Sequence, residues 1–115
     1  MITSINNKDK DISKIIYLLF QASYKIEAKL LQAIDFPPLK RTVSDFLKCN
    51  NTFFAYHLNK EIVGVIEIDN SNISTHIQSL VVHPSSFRQG IGNKLVSFVL
   101  DYYTSKSFTV ETGLA

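Results

Sequence analysis

Leu80-Val81-Val82-His83-Pro84-Ser85-Ser86-Phe87-Arg88-Gln89-Gly90-Ile91-Gly92-Asn93-Lys94-Leu95 is the stretch on which the reading of this chain turns. Its first three residues close a run, Thr75 to Val82, that reads as a strand, and a wholly apolar strand end implies burial on both faces. Pro84 to Gln89 read as a loop. From Gly90 to about Tyr103 the spacing of Leu95, Val96, Val99 and Leu100 predicts a helix with those four residues on its inner face. A helix that opens on glycine is an anion site: its first N–H groups have no intrahelical acceptor, and its dipole adds about half a positive charge there. Gly90 and Gly92 remove side-chain bulk where phosphate oxygens would approach, and Arg88 and Lys94 flank the junction with positive charge. This chemistry suits a ligand that carries a diphosphate.

Three ligand classes use such a junction, and spacing separates them. A dinucleotide fingerprint requires a third glycine where Leu95 stands and a turn directly after the strand, whereas seven residues lie between Val82 and Gly90. A Walker loop requires two glycines separated by four residues and then Lys-Ser or Lys-Thr, which Gly90 to Leu95 does not supply. Leu80 to Pro84 followed by Phe87 to Leu95 resembles instead motif A of the GCN5-related N-acetyltransferase (GNAT) superfamily. The family pattern is Arg or Gln, two residues, Gly, one residue, then Gly or Ala. Gly90 and Gly92 fit it, while its first position is Phe87, with Arg88 one place later.

The resemblance implies an α/β fold with a mixed sheet (α+β), the acyl-CoA N-acyltransferase fold as far as its fifth strand, and acetyl-CoA as acyl donor. It implies that the strand before the loop and the strand after the helix splay apart to admit the pantetheine arm. Leu80, Val81 and Val82 would then carry backbone contacts to that arm, one N–H polarising the thioester carbonyl. Arg88, Gln89, Gly90, Ile91, Gly92, Asn93 and Lys94 would hold the diphosphate.

The rest of the chain is consistent with that layout. Ile2 to Ile5 suit a short opening strand, and Ile12, Ile15, Ile16, Leu19, Ala22, Ile26, Leu30 and Ala33 mark one amphipathic helix from about Asp11 to Ala33. Phe36-Pro37-Pro38 ends it, since neither proline donates a backbone hydrogen bond. Thr42 with Asp45 forms a capping-box start for a short helix to about Cys49. Thr52 to Leu58 and Glu61 to Asp69 alternate as strands around the turn Asn59-Lys60, a hairpin, and Phe108 to Glu111 read as a last strand.

Acyl transfer to an amine needs a group that takes the ammonium proton. Glu67 is the first candidate: it alternates with Val63 and Val65, so its carboxyl is expected among apolar neighbours that raise its pKa. Asp69, at the strand end, reads as a turn residue, and Gln78 cannot act as a base. His57, His76 and His83 have no metal-ligand spacing, and no metal site is implied.

At 115 residues the chain fits a single domain, residues 1–115, and with 45% hydrophobic and 19% charged residues it is too apolar for disorder. The 12 basic and 10 acidic residues are scattered, without the basic face that nucleic-acid binding needs, so no nucleic-acid partner is expected. Cys49 is the only cysteine, which excludes an intrachain disulfide and suits a packing role. The N-terminus lacks the apolar core of a signal peptide, and no run approaches the ~18 apolar residues of a membrane span, so a cytoplasmic protein without a membrane partner is expected.

Two functions follow as expectations: an acetyl-CoA-dependent N-acetyltransferase acting on a small-molecule or protein amine, or a catalytically weak or inactive GNAT remnant that binds CoA or serves assembly. Family members continue past the fifth strand with a helix and two strands that wall the acceptor site and supply the usual acid, a tyrosine. Glu111 to Ala115 read as the entry to that helix, cut short. An uncovered edge on the Phe108 to Glu111 strand is expected to favour a homo-oligomer.

Overall fold

A computed structural model describes residues 1–30, 41–70, 74–103 and 107–110. Ile2–Ile5 form β1, and Asn6 to Asp9 turn the chain into α1, Lys10–Leu30. Asp9 caps that helix, its Oδ1 accepting the N–H groups of Asp11 and Ile12 at 2.9 and 3.2 Å. The second helix, α2 (Val43–Lys48), starts on the expected capping box: Thr42 Oγ1 accepts from the Asp45 N–H at 3.2 Å and Asp45 Oδ2 from the Thr42 N–H at 2.8 Å. Those bonds from Thr42 hold the Asp45 carboxyl below its usual range. The far end of α2 is tied to the first turn of the chain, where the buried Asn7 Nδ2 donates to the carbonyls of Phe46 and Cys49 at 2.6 and 2.8 Å.

The strands β2 (Thr52–Leu58) and β3 (Glu61–Asn70) form the expected hairpin. Asn59 and Lys60 both take positive φ, 52° and 71°, as the two-residue turns that match strand twist require. β4 (Ser74–Val82), α3 (Ile91–Tyr102) and β5 (Ser107–Val110) complete the chain order. The five-stranded sheet runs β1-β2-β3-β4-β5, antiparallel except for the parallel pair β4 and β5. Residues 31–33 of the expected long helix and Glu111 of the expected last strand lie outside the described residues.

Two cores cover the two faces of the sheet. α1 and α2 pack Ile16, Leu19, Phe20, Tyr24 and Phe46 against Phe53, Ala55, Val65 and Val81. α3 packs Ile91, Leu95 and Val99 against Phe54, Ile66, Ile68, Ile77, Leu80 and Val82. The apolar end of β4 is therefore buried on both sides, as read from the sequence: Val81 faces one core, Leu80 and Val82 the other. Two register shifts modify the alternation. Tyr56 pairs with Gly64 and His57 with Ile62, so Val63 is an extra residue in β3 and joins the α3 face rather than that of Val65. Glu67 pairs with Ser79 and Ile68 with Ile77, so Gln78 is extra in β4.

The inner faces of two helices differ from expectation. On α3, Leu95 and Val99 are buried, but Leu100 is 47% exposed. Among the described side chains of α1 the buried ones are Ser13, Ile16, Leu19, Phe20, Ser23 and Tyr24, whereas Ile15 and Ile26 are each 39% exposed. Two small serines occupy inward positions, so a stripe drawn through aliphatic residues alone is rotated away from the true face. Among the described residues no helix is long and apolar enough to cross a membrane.

Candidate functional site

The junction of β4 and α3 is built by local geometry. His83 closes a tight turn at the strand end, its Nδ1 accepting the Ser85 N–H at 3.1 Å, and Pro84–Ser86 form one turn of 3-10 helix. Arg88 and Gly90 then take φ of 66° and 74°, the left-handed values that reverse the chain toward the helix. Gly90 is the N-cap of α3 and offers no side-chain cap. The first intrahelical bond runs from the Lys94 N–H to the Gly90 carbonyl at 3.0 Å, which leaves the amides of Ile91, Gly92 and Asn93 without a helical acceptor.

Those amides border a cavity of about 530 Å³. Gly90, Ile91, Gly92 and Asn93 line it from the helix start, and Val82, Ser86, Phe87 and Arg88 from the strand end and loop. Ser23 and Ile26 of α1 supply another part of the wall. A Cβ built on Gly90 would meet nothing within 4 Å, and one on Gly92 would meet only Leu80 Cδ2 at 3.6 Å. The backbone at the helix start is therefore open to an incoming oxygen, as a diphosphate requires.

Helix α3 is held against the sheet by Gly64. A Cβ there would lie 2.9 Å from Ile91 Cγ2 and 3.2 Å from Leu95 Cδ1, so only glycine lets the first turn of α3 settle at this depth. On one edge β4 pairs with β3 as far as Val82, and on the other β5 pairs with it from Ser74 to Ile77.

Of the residues expected at the site, Val82, Arg88, Gly90, Ile91, Gly92 and Asn93 line the cavity. Gln89 and Lys94 are exposed outside this lining, with Lys94 Nζ donating to Tyr56 Oη at 3.5 Å. Leu80 and Val81 are committed to the two cores by their side chains and are not among the residues lining the cavity. Ser23, Ile26, Ser86 and Phe87 line the cavity without having been expected there. The inward phase of α1 at Ile16, Leu19 and Phe20 was the available signal for Ser23.

Glu67 occupies a different environment from the one its apolar neighbours suggested. It is 1% exposed, and Arg41 grips it with two bonds, Nη1 to Oε1 at 2.6 Å and Nη2 to Oε2 at 3.1 Å. Asn51 Nδ2 donates to Oε2 at 2.8 Å and the Cys49 thiol at 3.4 Å. Burial pushes the carboxyl up, but the bonds and charge of Arg41, joined by Asn51 and Ser79, outweigh it, so its pKa lies below the usual range rather than above. The expected rise is corrected accordingly: Arg41 lies 26 positions earlier in sequence and meets Glu67 only through the fold. The guanidinium also lies over the Phe46 ring, 4.2 Å from its centroid, and its own pKa rises because Glu67 outweighs the effect of its burial. Burial likewise pushes the Cys49 thiol up. Glu67 is not among the residues lining the cavity.

A mixed sheet with helices on both faces and a helix that opens on glycine beside a strand end is the layout expected from the glycine motif. The domain family described as acetyltransferase (GNAT) domain matches residues 26–112, and the chain belongs to that family. It is 31% identical over 102 residues to UPF0157 protein YqkA of Bacillus subtilis, which covers 89% of this chain and only 30% of that protein, so the chain spans under a third of this relative. Among solved structures it is similar to the PaiA N-acetyltransferase of Thermoplasma acidophilum in complex with coenzyme A (TM-score 0.71, 13% identity, 89% of this chain and 70% of that one). It is also similar to the ribosomal-protein-S18-alanine N-acetyltransferase of Escherichia coli (TM-score 0.66, 16% identity, 89% and 57%). At these identities the two structures establish the fold, as expected from the glycine motif.

Proposed function

We propose that this chain is an acetyl-CoA-dependent N-acetyltransferase that moves an acetyl group to a primary amine, of a small molecule or of a protein. The observation that carries the reading is the uncapped start of α3: free amides at Ile91, Gly92 and Asn93 on an open 530 Å³ cavity at the end of β4. When bound, acetyl-CoA would supply an activated acyl carbon in a thioester. The amides of residues 91–93, with Arg88 beside them, would hold the diphosphate. The edge of β4 toward Val82, past its last pair with β5 at Ile77, would bond the arm and direct an N–H at the thioester carbonyl oxygen, where negative charge develops. The amine nitrogen attacks that carbon, the carbon–sulfur bond breaks, the proton leaves the nitrogen and the thiolate departs to be protonated. Glu67, with its oxygens already taken by Arg41 and Asn51, holds α2 and the Arg41 backbone against the sheet in this reading, and water takes the proton.

A second reading has one observation in its favour: the most buried carboxylate on the sheet is engaged in an ion pair and does not line the cavity. On that reading the chain binds CoA without turning over. Titration calorimetry with CoA, combined with free-thiol release from acetyl-CoA over a panel of amines, separates the two. Heat with thiol release supports the transferase, heat without release the binding module, and no heat at millimolar CoA overturns both.

A further inference from the structure

We propose that the Ser23 hydroxyl is a ligand-binding group that donates a hydrogen bond to a diphosphate oxygen held at the start of α3. This rests on the CoA-binding reading given above and extends it to a wall of the cavity contributed by a different helix.

Among the described residues, other buried polar side chains have hydrogen-bond partners. Ser13 Oγ donates to the Val43 carbonyl at 3.0 Å, Asn7 to the carbonyls of Phe46 and Cys49, Thr75 Oγ1 to Asn70 Oδ1 at 2.7 Å, and Glu67 accepts from Arg41, Asn51 and Cys49. Among the described residues Ser23 Oγ is the exception, buried and without a hydrogen-bond partner. The residue is 1% exposed, so bulk water does not serve it. A helical serine ordinarily returns its hydroxyl to the carbonyl four residues back, and this one does not. Such an orphan is disfavoured in the free protein and calls for a partner.

Its position says what that partner is. Ser23 lines the same cavity as Gly90, Gly92 and Asn93, so the orphan donor and the orphan amides of α3 border one volume. The amides can only donate and the hydroxyl can donate as well as accept, which fits an acceptor-rich anion. Arg88 adds positive charge to the lining, and none of the described lining residues is a carboxylate. The hydroxyl turns about a single side-chain bond, so it changes direction while α1 stays in place. A hydroxyl shielded from water also bonds a charged oxygen without competition from solvent.

The test is Ser23→Ala, measured with three readouts: CoA titration, titration with pantetheine (which lacks the diphosphate), and the melting temperature of the free protein. Alanine favours helix over serine and removes an unsatisfied group, so the free protein is expected to melt at the same temperature or higher. CoA affinity is expected to fall roughly tenfold, the range of a hydrogen bond to a charged group, and any pantetheine binding to stay unchanged. Wild-type protein that fails to bind CoA would remove the parent reading. Wild-type binding with an equally tight Ser23→Ala variant overturns this inference alone. A variant that melts several degrees lower, or one that loses pantetheine as much as CoA, also overturns it, by showing a structural role or contact with the wrong part of the ligand.

Discussion

Replacing Arg41 with methionine tests the ion pair that fixes Glu67. The variant keeps an apolar side chain and removes the guanidinium that lies over Phe20 and Phe46. Glu67, 1% exposed, would retain Asn51, Cys49 and Ser79 but no opposite charge. Breaking a buried pair from one side costs about 3–5 kcal/mol, because the other charge stays behind. Arg41 is itself 26% exposed, so water already screens part of the attraction, and a loss of about 2–3 kcal/mol is expected at neutral pH. Against the roughly 6–15 kcal/mol available to a domain of this size, that is resolved by urea unfolding followed by circular dichroism.

The pH dependence follows from the direction of the shift. In the wild type the folded pKa of Glu67 lies below its unfolded value of about 4.3, so the stabilisation is complete above that pH and is lost as pH falls through the folded pKa. In Arg41→Met the effect of burial prevails and the folded pKa lies above the unfolded one, so the penalty is present at neutral pH and fades as acid protonates the group. The stability gap between the two proteins therefore narrows from neutral pH toward about pH 4. A variant as stable as the wild type, or a loss constant across that span, would refute the assignment of the pair.

Glu67→Gln keeps the volume and leaves Arg41 partly hydrated, so it should destabilise less than Arg41→Met. It should leave acetyl transfer nearly unchanged, whereas a hundredfold drop in turnover with stability intact, about what a lost general base costs, would make the carboxylate the base. Gly90→Glu places a carboxylate against the free amides of α3 and is expected to abolish CoA binding by calorimetry; retained affinity would move the ligand elsewhere. Gly64→Ala drives a methyl to within 2.9 Å of Ile91 Cγ2 and is expected to cost about 1–3 kcal/mol in urea unfolding, while a neutral result would mean that α3 shifts freely on the sheet.

Much of this architecture could be read before the structure because local signals agreed. Thr42 with Asp45, Asn59-Lys60 and Gly90 each fixed an element boundary through its own backbone chemistry, and the apolar end of β4 foretold burial on both faces. What escaped were features made by long-range contact. Nothing near Glu67 in sequence announces Arg41, so burial alone was counted and the direction of the pKa came out reversed. Serine carries no hydrophobic signal, so Ser13 and Ser23 hid the true inner face of α1, and with it one wall of the cavity. The extra residue at Val63 is equally silent, since an alternating pattern does not show where a strand takes in a residue that its partner lacks.

Gly64 and Ile91 form a pit and its peg, and this has a consequence for how sequences of this kind can drift. The peg is the first residue of α3, whose own amide borders the cavity. Enlarging position 64 alone presses on the helix start; enlarging it while position 91 loses its Cγ2, as in Gly64→Ala with Ile91→Ala, lets the start stay where it is. Exchange at the two sites should therefore be paired. A substitution in the middle of β3, touching no ligand atom, would change the reach between the helix amides and the edge of β4, and with it the length of the molecule that spans them.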